Sequence, residues 1–300
     1  MSGGGRAGLA DDQPGDPRLD PGDRGSRVLG PLRAEGARGV AIATISTVVV
    51  LVAIVVGVLH SPHWLEFKQS FLDGAEFRKT FPDVVRAFRH NIEWFLIAEP
   101  IILALALLLA VMRSLPGPVF FPLRLIATIY VDMFRGIPTI LVIYLLGFGV
   151  PALQIPGLPS SAVFWGIVGV ILSYSAYVAE VYRAGIESVH ASQTAAARSL
   201  GLSRWQTLRF VVVPQAVRRV IPPLLNDFIA LQKDTALVSI VAGAIPEAFL
   251  QAQIYQSGDF NFTPILGAAL CFLAITVPLT RFTDWFVGRQ RRARQAGATL

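Results

Sequence analysis

The chain has 300 residues, 53% of them hydrophobic and only 15% charged, with a mean hydropathy of +0.57. Soluble domains carry about 25% charged residues, so this composition excludes an ordinary soluble protein and points to the membrane. One cysteine, Cys271, excludes a disulfide framework and a thiolate metal site, and the net charge of +6 is no nucleic-acid signal because most arginines flank apolar segments.

Residues 1–38 are rich in Gly, Pro, Asp and Arg and too poor in apolar side chains to order themselves, which predicts a disordered cytoplasmic tail. Val40 to Val58 is uncharged and about 28 Å long as a helix, enough to cross a hydrocarbon core. With the mixed-charge segment that follows it, residues 39–89 form an extra transmembrane helix plus an external stretch. His60 and His63 lie three apart, but no carboxylate or cysteine nearby completes a metal set. Further spans are expected at Ile92–Met112, Leu123–Gly147, Val163–Tyr182, Leu224–Ala244 and Pro264–Phe286. Residues 90–287 form the main transmembrane domain, and 288–300 a basic cytoplasmic tail.

Basic residues set the orientation. Lys and Arg number six in the N-terminal tail, two at 113–124, six at 183–219 and five at 281–294, against none at 150–162 and 244–262. Alternate loops are therefore cytoplasmic, as are both termini. Residues 60–90 break the pattern, with five basic side chains on the expected outside.

Between the fourth and fifth spans runs Ser192-Gln193-Thr194-Ala195-Ala196-Ala197-Arg198-Ser199-Leu200-Gly201-Leu202-Ser203. The alanines favour a helix, and Gly201 suits the left-handed residue beyond its end. Ser203 with Gln206 matches a capping box that starts a second helix, which Pro214 limits. Such a small-residue helix admits close approach by another chain; an ordinary re-entry loop would have the same outline.

Ionisable groups inside spans each cost about 2.5–3.5 kcal/mol at mid-bilayer. Glu93, Glu99, Asp132, Arg135, Glu180, Asp227, Lys233 and Asp234 all need a reason to be there. Asp132 and Arg135, three apart, can pair on one helix face. Mutual pairing and a polar pathway both account for Glu99, Lys233 and Asp234. The Arg135-Gly136-Ile137-Pro138 break inside a span is tolerated only against protein or a water-filled cavity, which favours a translocation path.

Four ordered stretches carry a family resemblance. They are Tyr130-Val131-Asp132-Met133-Phe134-Arg135-Gly136-Ile137-Pro138, the Ala176-Tyr177-Val178-Ala179-Glu180-Val181-Tyr182-Arg183 run, the alanine segment, and Pro214-Gln215-Ala216 leading through Asn226 to Lys233-Asp234-Thr235-Ala236-Leu237. Together they resemble the polar amino-acid branch (histidine, glutamate, glutamine, arginine and opine type) of ABC importer permeases, over about residues 90–287. The chain departs from that branch at Ala195, where Glu is usual, at Ser192 for Gly, and at Ala236 for Ser.

The resemblance implies an all-α integral membrane protein of about six transmembrane helices, a type I ABC importer transmembrane domain with an extra N-terminal helix. It implies a multi-pass permease of the bacterial plasma membrane, not an enzyme, with no catalytic residue, no metal and no cofactor of its own. ATP and magnesium would belong to separate ABC ATPase subunits; indeed no Gly-x-x-x-x-Gly-Lys-Ser/Thr loop occurs here. The other implied partners are an extracytoplasmic substrate-binding protein, a second permease subunit (identical or a sister) and an amino-acid substrate, with no nucleic acid. Gln193, Ala195, Ala196, Ala197, Leu200, Gly201 and Ser203 would couple to the ATPase within the 188–214 loop. Glu99, Arg135, Tyr177, Glu180, Asn226, Lys233, Asp234 and Thr235 are the pathway candidates. The alternative is an ion-coupled secondary transporter or a channel, in which the alanine segment is a mere connector.

Overall fold

The structure, a computed structural model, describes residues 36–243 and 245–297 and contains helices and turns with no strand among them. The expected disordered tail falls, up to residue 35, outside the described residues. Residues up to Leu65 cluster as one compact unit and those from Glu66 as a second.

The first unit holds α1 (Gly36–Leu59). Its Ile42–Leu59 portion is apolar on all sides. The few hydroxyls there turn back onto their own helix: Thr44 and Thr47 donate to the carbonyls of Val40 and Ala43 at 2.8 and 2.7 Å. A helix hydrophobic all round suits burial in lipid or protein.

The rest is a helical bundle. α2 (Trp64–Phe71) leads into α3 (Gly74–Ser114), a 41-residue helix. The mixed-charge segment is therefore helical. Asp73 caps α3 by accepting from the amides of Ala75 (2.8 Å) and Glu76 (3.2 Å). At 1.5 Å per residue α3 is about 60 Å long, about twice a hydrocarbon core, so its charged first half extends beyond the apolar second half.

α4 (Phe121–Gly136) and α5 (Thr139–Ala152) meet at 103°. Pro138 disfavours helical backbone at Ile137, which is extended at φ −100° and ψ 128°. α6 (Ala162–Glu187) is the central helix and packs on α3, α4 and α5. Its Gly169 lets α5 come close: a Cβ there would lie 3.2 Å from the Ile143 Cα. Ile102, Ala106, Ile143, Ala176 and Leu231 are among the residues that fill this core.

α7 (Ala191–Ser199) and the single turn α8 (Arg204–Thr207) follow. A π-helical turn at Leu208–Val212 then runs into α9 (Val213–Asp234). Pro214 does not end the helix as expected. It lacks an amide and crowds the carbonyl four residues back, and the chain answers with a wider turn in which the Val213 amide reaches Leu208.

The expected fifth span is interrupted too. α9 stops at Asp234, tightens into a 3₁₀ turn (Thr235–Val238), and resumes briefly as α10 (Ser239–Ala242). Val241 on α10 fills notches on two helices: a Cβ on Gly147 of α5 would lie 2.6 Å from its Cγ1, and one on Gly166 of α6 2.7 Å from its Cγ2. α11 (Ala248–Asp259) lies against α3 and the last helix, α12 (Thr263–Gly297), which extends well into the expected C-terminal tail.

Among the described residues four helices are long and apolar enough to cross a membrane, or five with the bent pair as one span. The remaining expected span, Leu224–Ala244, begins midway along α9, and α9 carries Arg218, Arg219, Asp227, Lys233 and Asp234. It packs against α6, α3 and α12.

Candidate functional site

The alanine segment folds as read. His190 caps α7, its Nδ1 accepting from the Ser192 amide at 3.3 Å. At the other end the Gly201 amide reaches Arg198 (3.0 Å) and the Leu202 amide reaches Ala197 (3.2 Å), with Gly201 at φ +85°. The Ser203–Gln206 capping box is present in both directions, at 2.8 and 3.2 Å. One tie fixes α7 to α9, Gln215 Nε2 donating to Gln193 Oε1 at 2.7 Å, and a second holds the end of α6 to α9, Arg219 donating to the Ser188 carbonyl.

The predicted coupling residues divide by orientation. Ala195, Ala196, Gly201 and Ser203 are exposed, and Leu200 is 81% exposed. Ala197 is buried and faces its own chain, so it is not part of the open face. Sequence reasoning missed Trp205, which adds a 67% exposed indole beside that face. Its position inside the capping box, between Ser203 and Gln206, was the available signal.

The pathway candidates do not form one cluster. Arg135 Nη1 stands 3.8 Å from Glu180 Oε2, across from α4 to α6, whereas the expected Asp132–Arg135 pair is absent among the ion pairs of the described residues. Glu180 also binds Arg113 at 2.8 Å and Arg183, and Arg183 reaches Glu187 at 2.5 Å. One carboxylate thus gathers the ends of α3 and α4 onto α6. Arg113, missed by the sequence reading, is the last-turn cation of α3.

A second group centres on Tyr174, whose hydroxyl donates to Asp234 Oδ2 at 2.7 Å and whose ring lies 6.3 Å from that of Tyr177. Asn226 and Lys233 are exposed on α9, while Glu99 and Asp227 are half-buried, one Asp227 oxygen lacking a hydrogen-bond partner. Thr235 is buried in a third group with Asn91 and Glu247, neither of which the sequence singled out. Glu247 after Pro246, one residue ahead of a helix, was the trace they left. Burial pushes the Glu247 carboxyl up, opposed by the donors of Phe249, Leu250 and Asn91.

The described residues present a polar bundle interior and an exposed helical stub. Comparison with known proteins gives the same picture. The profile of the family described as "binding-protein-dependent transport system inner membrane component" matches residues 102–292. The chain is 32% identical over 209 residues to the probable amino-acid permease protein YxeN of Bacillus subtilis, covering 69% of this chain and 90% of that protein. It is 35% identical over 196 residues to the probable glutamine ABC transporter permease protein GlnM of the same organism, covering 64% and 86%. Among solved structures, one described as an amino acid ABC transporter with histidines matches with a TM-score of 0.65 and 29% identity, over 72% of this chain and 98% of that one. The chain belongs to the binding-protein-dependent transport system inner membrane components, as the permease subunit of an importer and not an enzyme.

Proposed function

We propose that this chain is the membrane subunit of an ATP-driven importer of polar amino acids. It takes its power stroke through α7 from separate ATPase subunits that hold the ATP and magnesium. The observation that carries this reading is the open face of α7. Ala195, Ala196 and Leu200 are turned away from the bundle that the Gln193 and Arg219 ties hold them to. Small side chains let another backbone approach, and the apolar Leu200 and Trp205 are the anchors such a groove would take.

The amino-acid assignment follows the relatives, and the polar branch follows the four motifs. The Glu180 hub, the Tyr174–Asp234 contact and the exposed Lys233 supply charged and hydrogen-bonding groups to a polar solute's path. Both termini and α7 lie in the cytoplasm of a bacterial cell, and α11 faces outward, where a substrate-binding protein docks. A second permease, identical or a sister, completes the pathway.

The test is uptake by the reconstituted permease–ATPase complex in liposomes, with binding protein and a mixture of glutamine, glutamate, arginine and histidine. Accumulation that needs ATP supports the reading. Uptake by the permease alone, or uptake that follows an ion gradient without nucleotide, overturns it in favour of a secondary transporter.

A further inference from the structure

α11 lies along α3 in antiparallel register, with polar ties at three levels. Lys79 Nζ contacts Asp259 Oδ2 at 2.7 Å, the Tyr255 hydroxyl donates to Asp83 Oδ2 at 2.5 Å, and Asn91 meets Glu247 and Ala248. The positions on α3 step by four or multiples of four (79, 83, 91), which is one helix face. Between the polar ties Val84 and Phe88 pack with Ala248 and Ala252. The Lys79–Asp259 tie is exposed to water and worth little, and the Tyr255–Asp83 tie is part-buried.

The innermost tie is of another kind. Asn91 and Glu247 are both fully buried, at 0% exposure. Asn91 Nδ2 donates to Glu247 Oε2 (2.9 Å) and to Thr235 Oγ1 (3.1 Å), while its Oδ1 accepts from the Ala248 amide (3.1 Å). Glu247 in turn caps α11, accepting from the amides of Phe249 (2.9 Å) and Leu250 (2.8 Å). Thr235 Oγ1 passes the chain on to the Gln232 carbonyl at 2.8 Å, in the last turn of α9. A buried carboxylate without donors is prohibitively costly, so this set holds together as a unit.

Its placement gives it a mechanical meaning. Thr235 is the first residue after α9 breaks, and its neighbour Asp234 is held by Tyr174 of α6. One amide side chain therefore joins the start of the outward-facing helix, the long α3 and the helix break. We propose that Asn91 is a positioning residue for transport, fastening α11 to the break at Asp234–Thr235 so that a partner docking on α11 displaces the segment that carries Lys233 and Asp234. This rests on the importer reading above.

The experiment uses the full permease–ATPase complex in liposomes and records basal ATPase, ATPase stimulated by binding protein with the same four amino acids, and uptake. Asn91→Asp keeps the shape and the acceptor for Ala248 but removes the donor to Glu247 and Thr235. Asn91→Ser is the milder second variant, and Tyr255→Phe cuts only an outer tie. Both Asn91 variants are expected to assemble, keep basal ATPase, and lose stimulation about tenfold, the worth of one hydrogen bond to a charged group. Tyr255→Phe should behave as the parent. Equal fractional loss of basal and stimulated activity, unchanged stimulation, or failure of both Asn91 variants to assemble overturns the proposal. Absence of ATP-driven uptake by the parent complex would instead overturn the importer reading itself.

Discussion

Gly185 on α6 faces Val220 on α9 just before the chain leaves the bundle for α7. A Cβ placed on Gly185 would lie 2.0 Å from Val220 Cγ1, while Val220 Cβ and the Ala216 carbonyl oxygen stand at 3.5 Å. Carbon atoms pack best at about 3.5–4.0 Å, so Gly185→Ala creates an overlap of about 1.5 Å at one methyl and none at the backbone. Relief requires either turning Val220, whose branched side chain has essentially one helical rotamer, or parting the helices. Val220 is only 6% exposed, so its methyl has no solvent to move into. The expected cost is about 1–3 kcal/mol, the range for overpacking a close-packed contact. Val220→Ala deletes the offending methyl, so the double variant should recover at least about 1 kcal/mol relative to the sum of the single changes. The assay is denaturant titration of the purified complex in micelles, run as a four-corner cycle. Additivity within about 0.5 kcal/mol would refute the claim that these two side chains compete for one space.

Two further outcomes are expected. Gly201→Leu meets no steric obstacle, since nothing lies within 4 Å of its Cβ, but it forces a left-handed backbone at φ +85° on a branched residue, at about 1–2 kcal/mol. The protein should insert normally while importing less solute per ATP hydrolysed; an unchanged ratio would count against α7 as the coupling element. Lys79, through its hydrogen bond, holds the Asp259 carboxyl below the usual aspartate range. A depressed carboxyl contributes stability above its unfolded value and loses it as pH falls through the folded value. Amide protection at the end of α11, corrected for intrinsic exchange, should therefore fall on acidification, and Lys79→Met should remove that dependence.

Local chemistry was legible wherever one short stretch determined the outcome. Gly201, Ser203 and Gln206 specify a stop and a start within six residues, and the structure has both. Pro138 dictates the bend in the same way. What could not be read was pairing over distance. The sequence offers Arg135 the neighbour Asp132, three residues away, but Glu180 on another helix takes it, because only the assembled bundle brings α4 against α6. Asn91 and Glu247 are 156 residues apart, and nothing near either marks the other. Pro214 shows the opposite error: a residue read as a terminator is carried through a continuous helix by one widened turn. The small residues of α7 all suggested close approach, yet helical rotation turns Ala197 inward and its neighbours out.

One valine, Val241, occupies recesses in two different helices. A peg shared by two sockets keys α5, α6 and α10 into a single body, and Gly169 leaves no gap between the first two for slippage. Whatever rearrangement opens this bundle to one side or the other must therefore run along the borders of that body, not through it.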